Sequence, residues 1–145
     1  MNQWAEPMAS VDFALIIGDN EKAVRLALQR GDHVQAFLLV HSLVESLLRI
    51  FLARTRGDEK FQQLVQAYRV ILEQESPGIT SFVEELTQFN RRRNRIVHEL
   101  WRKGYTYTNH HARDAATSAV AMYGLLVEFV QTYDPTVAET GFRLD

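Results

Sequence analysis

Apolar residues along this chain recur at steps of three and four, the period of helices with one buried face. The longest such run lies between Asp32 and Arg56. Its stretch HVQAFLLVHSLVESLLRIFL is apolar around most of its circumference, as expected of a helix at the centre of a protein. Upstream, Gly18-Asp19-Asn20 opens a first helix over about Asn20 to Gln29. Arg30-Gly31-Asp32 then turns the chain, with Asp32 placed to cap the long helix and Gly57 to stop it. Asp58 caps a third helix reaching about Glu75, where Ser76-Pro77-Gly78 breaks it. A fourth starts near Ile79 or Thr80 and ends at Gly104, with Phe82, Leu86, Phe89, Ile96 and Leu100 on one side. Tyr105 to Thr108 reads as a loop. Thr108 or Asn109 opens a last helix to about Thr132, with Ala115, Ala119, Met122, Leu126 and Phe129 on one side. The DFALII stretch fits helix or strand, and no stretch sustains strand alternation. The expected fold is all-α, an up-and-down bundle of about four to five helices over residues 1–133. An irregular tail is expected over 134–145.

A chain of 145 residues fits one domain and is long enough to bury a core without staples. The net charge is only −2, so any attraction for an anion must be local. The absence of cysteine excludes disulfides and cysteine-based zinc sites. It fits a reducing cytoplasm, the expected location. The N-terminus has neither the basic start nor the apolar run of a signal peptide. The one membrane candidate, Ala36 to Ala53, carries His41, Glu45 and Arg49. Those groups are costly against lipid, so the segment is expected in a protein core and no membrane partner is expected.

Charge changes the picture at residues 90–101, NRRRNRIVHELW. At about 100° per residue, Arg91, Asn94 and His98 share one stripe. Arg93 instead falls in the apolar arc with Leu86 and Phe89, where a charge needs a partner or a cavity. Arg95 stands four residues before Glu99, the spacing of a helical ion pair. On the long helix His41, Glu45 and Arg49 step by four, flanked by Ser42 and Ser46. Glu45 is a counter-charge for Arg49 or for Arg93. His41 reads as a satisfied core or interface histidine.

The run Arg93-Asn94-Arg95-Ile96-Val97-His98 resembles the R-x(4–6)-H motif of HEPN domains, in the form with a polar residue after the arginine. The run QAFLLVHSLVESLLRIFL resembles that family's central helix, an apolar run carrying one glutamate. The resemblance implies a small helical bundle that forms a homodimer, with two motifs meeting in one cleft. It implies a metal-independent endoribonuclease without a cofactor, in a toxin or defence setting, with RNA as substrate and an antitoxin protein as partner. Other members have lost activity and bind a nucleotide, RNA or another protein, and that alternative stays open. The reactive residues carried over are Arg93, Asn94 and His98, with Glu45 in support. A subset of the family has a tyrosine two residues after the histidine, modified by a partner nucleotidyltransferase. Here that position is Leu100, and Tyr105 and Tyr107 are out of register, so such a partner is not expected.

The residue types suit the reaction. A histidine near neutrality can take the ribose 2′-OH proton or return one. Arg93 can bridge phosphate oxygens and stabilise charge that grows in the transition state. Asn94 can hold the phosphate or fix the imidazole tautomer. Two copies across a dimer can divide the acid and base roles. Arg91, Arg92 and Arg95 are placed for flanking phosphates. The competing reading makes the arginines a solvated face or a dimer edge in a purely structural protein. Trp101, Tyr105 and Tyr107 suit stacking on bases or packing. His110-His111 reads as a solvated helix start. HELWR lacks the second histidine of H-E-x-x-H, so no metal site is expected. Neither a G-x-G-x-x-G run nor a phosphate loop occurs.

Overall fold

The computed structural model describes residues 13–55, 57–75 and 82–143. The Ser76-Pro77-Gly78 break, the helix start at Ile79 or Thr80, Arg56 and the signal-peptide reading of the first residues fall outside them. Within the described residues the protein is all-α. Its helices are α1 (Phe13–Arg30), α2 (His33–Phe51), α3 (Phe61–Glu75), α4 (Val83–Lys103), α5 (Tyr105–His111) and α6 (Arg113–Tyr133), followed by a 3-10 helix over Pro135–Thr140.

The core is built around α2, which packs against α1, α3, α4, α5 and α6. Phe37, Val40, Leu43, Val44, Leu47 and Leu48 of α2 are all fully buried. Each such side chain contributes roughly 1.5–3 kcal/mol on leaving water. By length and composition alone α2 could cross a membrane, but half of its apolar stretch is buried inside the bundle. Of the ambiguous DFALII stretch, the described residues 13–17 are helical. They extend α1 because Ile17, Glu21, Val24 and Ala27 form one buried stripe at helical spacing.

Two helix ends show how the turns work. At the end of α1 the amide of Gly31 bonds to the carbonyl of Leu28 and that of Asp32 to Ala27, with Gly31 at φ +75. This is a Schellman turn with glycine at its left-handed position. The end of α2 repeats the pattern, Ala53 to Ile50 and Arg54 to Arg49, but with Ala53 at φ +57. The long helix therefore stops before the expected Gly57, at a position where an L-residue is strained. Replacing Ala53 with glycine is expected to raise the unfolding free energy by about 0.5–1 kcal/mol, read as a higher urea midpoint.

Asp32 precedes α2, but its side chain caps nothing there. Its Oδ1 accepts from the Tyr105 hydroxyl at 3.1 Å. The capping role passes to Asn109, which was expected at the start of the last helix. Asn109 Oδ1 accepts from the Val34 amide at 3.0 Å, and Nδ2 donates to the Gly31 carbonyl at 2.9 Å. That pair of bonds, with buried Thr108, explains why Tyr105 to Thr108 is helix α5 rather than a loop.

The tail also differs from expectation. The chain past Tyr133 is not a loose end, since Val137 and Phe142 are 1% exposed. The amide of Arg143 donates to Glu21 Oε2 at 2.7 Å, and the Tyr123 hydroxyl donates to the same oxygen at 2.8 Å. The buried Glu21 carboxylate thus ties α1, α6 and the tail together. Burial and that carboxylate push the Tyr123 phenol well above its usual pKa. Gly141 makes the approach feasible. It sits at φ +95, and a Cβ there would meet Ala14 at 3.1 Å.

Candidate functional site

The candidate site lies along α4. This helix buries Leu86, Phe89 and Ile96. His98 comes nine residues after Phe89, about 180° around the helix, so it points away from the core and is exposed. Arg91 and Asn94 share its stripe and are exposed too. Two neighbours define its surroundings. The ring of Trp101, itself 73% exposed, stands perpendicular to that of His98 with centroids 5.2 Å apart. Arg102 Nη1 donates to His98 Nε2 at 3.4 Å, an arrangement for neutral imidazole with Nε2 as acceptor. Arg102 was not among the residues singled out from sequence, although its place four residues after His98 carried the signal.

Arg93 lies elsewhere. It is half-buried on the core-side flank, about 140° around α4 from His98. Its Nη1 donates to Asn94 Oδ1 at 3.3 Å, and its charge acts on His41. Asn94 lies beside both, but Arg93 and His98 do not face one point.

Behind Arg93, the ring of His41 of α2 stacks on those of Phe61 (4.4 Å) and Phe89 (5.2 Å), which also meet each other at 6.1 Å. Its Nε2–H donates to Asn90 Oδ1 at 3.1 Å. His41 is thus the satisfied core histidine its pattern suggested. Burial holds its pKa below the usual value; the Asn90 bond opposes this, the Arg93 charge adds to it, and Glu45 opposes it. The sign for stability follows. Below about pH 6.5 the unfolded chain's imidazole takes up a proton that the folded one resists. Stability is therefore full above that pH and falls as pH drops, by up to about 1.4 kcal/mol per unit until the folded pKa is reached. The expected result is that His41→Gln loses less stability than wild type between pH 7 and pH 5, measured by urea unfolding at each pH.

Of the two partners open to Glu45, it pairs with Arg49 at 3.2 Å. Arg49 also donates to the carbonyls of Arg54 (3.3 Å), Gly57 (3.1 Å) and Glu59 (2.6 Å). Its fan of donors satisfies the turn between α2 and α3, so the pair is first a structural clamp.

The expected Arg95–Glu99 ion pair does not form among the described residues. Both side chains instead border a groove of about 330 Å³ between α4 and α6, with Arg92 beside them. The three flanking arginines therefore divide: Arg91 accompanies His98, while Arg92 and Arg95 lie on the opposite flank.

The C-terminal end of α4 and helix α5 present aromatic and basic groups together. Tyr105 is 49% and Tyr107 40% exposed. Lys103 Nζ sits 4.6 Å over the Tyr107 ring, and Tyr107 stacks on His111 at 4.1 Å. His110 and His111 are exposed, as expected, but they close α5 rather than open a helix, and His111 is held in place: its Nδ1–H donates to the Tyr107 carbonyl at 2.9 Å. No family model matches this chain, and comparison with curated proteins and with solved structures finds no match.

Proposed function

We propose that this protein is a metal-independent endoribonuclease of HEPN type that works as a homodimer. The observation that carries the reading is the position of His98. It is an exposed imidazole opposite the buried face of α4, with Arg91, Asn94, Arg102 and Trp101 around it. In the proposed reaction His98 takes the ribose 2′-OH proton, and that oxygen attacks the adjacent phosphorus. The P–O5′ bond breaks as the leaving oxygen takes that proton from the His98 imidazolium, leaving a 2′,3′-cyclic phosphate and a 5′-hydroxyl end. Arg93 stabilises the pentacovalent phosphate through its guanidinium, and Asn94 holds a phosphate oxygen. Since Arg93 and His98 diverge around α4, a working pair combines the arginine of one copy with the histidine of another. Trp101, Tyr105 and Tyr107 offer rings on which unpaired bases stack. A cytoplasmic toxin or defence role, restrained by an antitoxin protein, follows from the same resemblance.

The half-buried Arg93 favours a second reading, in which the same surface binds RNA without cutting it. One assay separates them. Purified protein is incubated with single-stranded RNAs in EDTA, alongside 2′-deoxy versions of the same strands. Cleavage of RNA alone, with cyclic phosphate ends and a loss of at least a hundredfold in His98→Ala, supports the nuclease. Equal background in both proteins rejects it, and RNA retention by both in a gel-shift assay would then support the binding module.

A further inference from the structure

Asn90 stands at the head of the basic stretch of α4, half-buried against α2. At about 100° per residue, Arg93 lies about 60° to one side of it and Asn94 about 40° to the other, with His98 about 80° around on the Asn94 side. Asn90 therefore lies between the arginine and the histidine that diverge around the helix, within about 6 Å of Arg93 and Asn94 along its axis.

The polar atoms here are sorted by their bonds. Asn90 Oδ1 accepts from His41 Nε2–H at 3.1 Å, and Asn94 Oδ1 accepts from Arg93 Nη1 at 3.3 Å. Both side-chain carbonyls are thus engaged, and each amide turns its NH2 group away from its partner. Asn90 Nδ2 makes no hydrogen bond among the described residues. It is open to water, since the buried side-chain atoms without a partner among those residues are His33 Nδ1 and the Tyr68 hydroxyl. Glu45, the carboxylate whose charge reaches His41, is engaged by Arg49 at 3.2 Å. What Asn90, Arg93 and Asn94 leave open is therefore N–H donors, the complement of an anionic oxygen.

His41 decides which way the Asn90 amide faces. An amide oxygen only accepts, so Nε2 carries the proton. A ring presenting a bare Nε2 would draw the NH2 group inward and turn the carbonyl oxygen out, where it would repel a phosphate. The ring of His41 is held in turn by stacking on Phe61 and Phe89, and rigid support of that kind keeps a binding group in place.

We propose that Asn90 belongs to the RNA site: its NH2 group donates to a non-bridging oxygen of the phosphate that Arg93 holds, and His41 is its positioning residue. The proposal rests on the reading that RNA meets Arg93, and it holds whether that RNA is cut or only bound. The test is fluorescence anisotropy of the full chain with labelled single-stranded RNAs of mixed sequence, fully 2′-O-methylated so that they cannot be cleaved. Asn90→Asp keeps the acceptor for His41 and removes the outward donors. It is expected to bind at least about tenfold more weakly, the effect of losing hydrogen bonds to a charged group. His41→Phe keeps the aromatic stack and removes the Nε2–H, and is expected to lose about tenfold as well. His41→Gln places an amide nitrogen where Nε2 stood and is expected to restore affinity to within about threefold of wild type. A merely structural role for His41 predicts the reverse order, since phenylalanine fills a site among aromatic rings better than glutamine does. Circular dichroism checks that the variants stay folded. Unchanged affinity in Asn90→Asp or in His41→Phe overturns the proposal and leaves the RNA reading intact, as does a His41→Gln protein that binds no better than His41→Phe. A wild type that neither binds these strands nor cleaves their unmodified counterparts overturns both.

Discussion

Replacing Phe142 with alanine is expected to lower the unfolding free energy by about 3–5 kcal/mol, a large share of the roughly 5–15 kcal/mol that holds a domain together. Phe142 is 1% exposed and meets the ring of Tyr123 edge-on at 6.4 Å. Truncation removes its apolar burial and leaves a cavity beside Tyr123, which α6 cannot easily fill. A second loss is coupled to the first. Phe142 anchors the segment whose next amide donates to Glu21, and a buried carboxylate that loses a donor is costly. The measurement is urea unfolding followed by circular dichroism, with the slope compared to detect a change in the cooperative unit. Leu125→Ala serves as the control. Leu125 belongs to α6 but is 57% exposed, so its loss should stay within about 0.5 kcal/mol. If Phe142→Ala costs no more than the control, the tail is not part of the core.

The tail marks where the sequence stops being informative. Helices α2, α3, α4 and α6 announce themselves through apolar residues at steps of three and four, because each buries a face along its whole length. Phe142 has no such neighbours. Its role depends on contacts with Tyr123 and on the Glu21–Arg143 bond, which spans 122 residues, and no local pattern encodes a distance of that kind. Helix α5 was hidden for the same reason, since Asn109 caps α2 across 75 residues. The stop of α2 was misplaced because the left-handed position is held by Ala53, and the rule that glycine ends helices pointed to Gly57. Around the candidate site, helical geometry alone put His98 on one stripe with Arg91 and Asn94 and Arg93 in the apolar arc. It could not choose between Glu45 pairing with Arg49 or with Arg93. Nor could it see that Arg95 leaves Glu99 for the groove, because both outcomes satisfy the same spacing.

The divergence of Arg93 and His98 leads to the expectation with the largest effect on activity. Arg93→Ala and His98→Ala proteins are each expected to cleave RNA at least about a hundredfold more slowly than wild type. When the two are mixed, unfolded and refolded together, activity should return to about a quarter of wild type. The reasoning is symmetry. A two-fold dimer holds two equivalent sites, each using Arg93 of one copy and His98 of the other. In a mixed dimer one site receives both substitutions and the other receives neither. Half of the dimers are mixed at random assembly, and each keeps one of its two sites, which gives about a quarter. The result depends on arrangement and not merely on residue identity. If Arg93 and His98 of the same protomer formed the site, every mixed dimer would carry one damaged residue per site. The same holds if both histidines of a dimer were needed at one phosphate, one as base and one as acid. In either case no activity would return, although size-exclusion chromatography would still report a dimer. Recovery can therefore come only from a site shared between copies, the arrangement proposed for the half-buried Arg93 and the outward-facing His98.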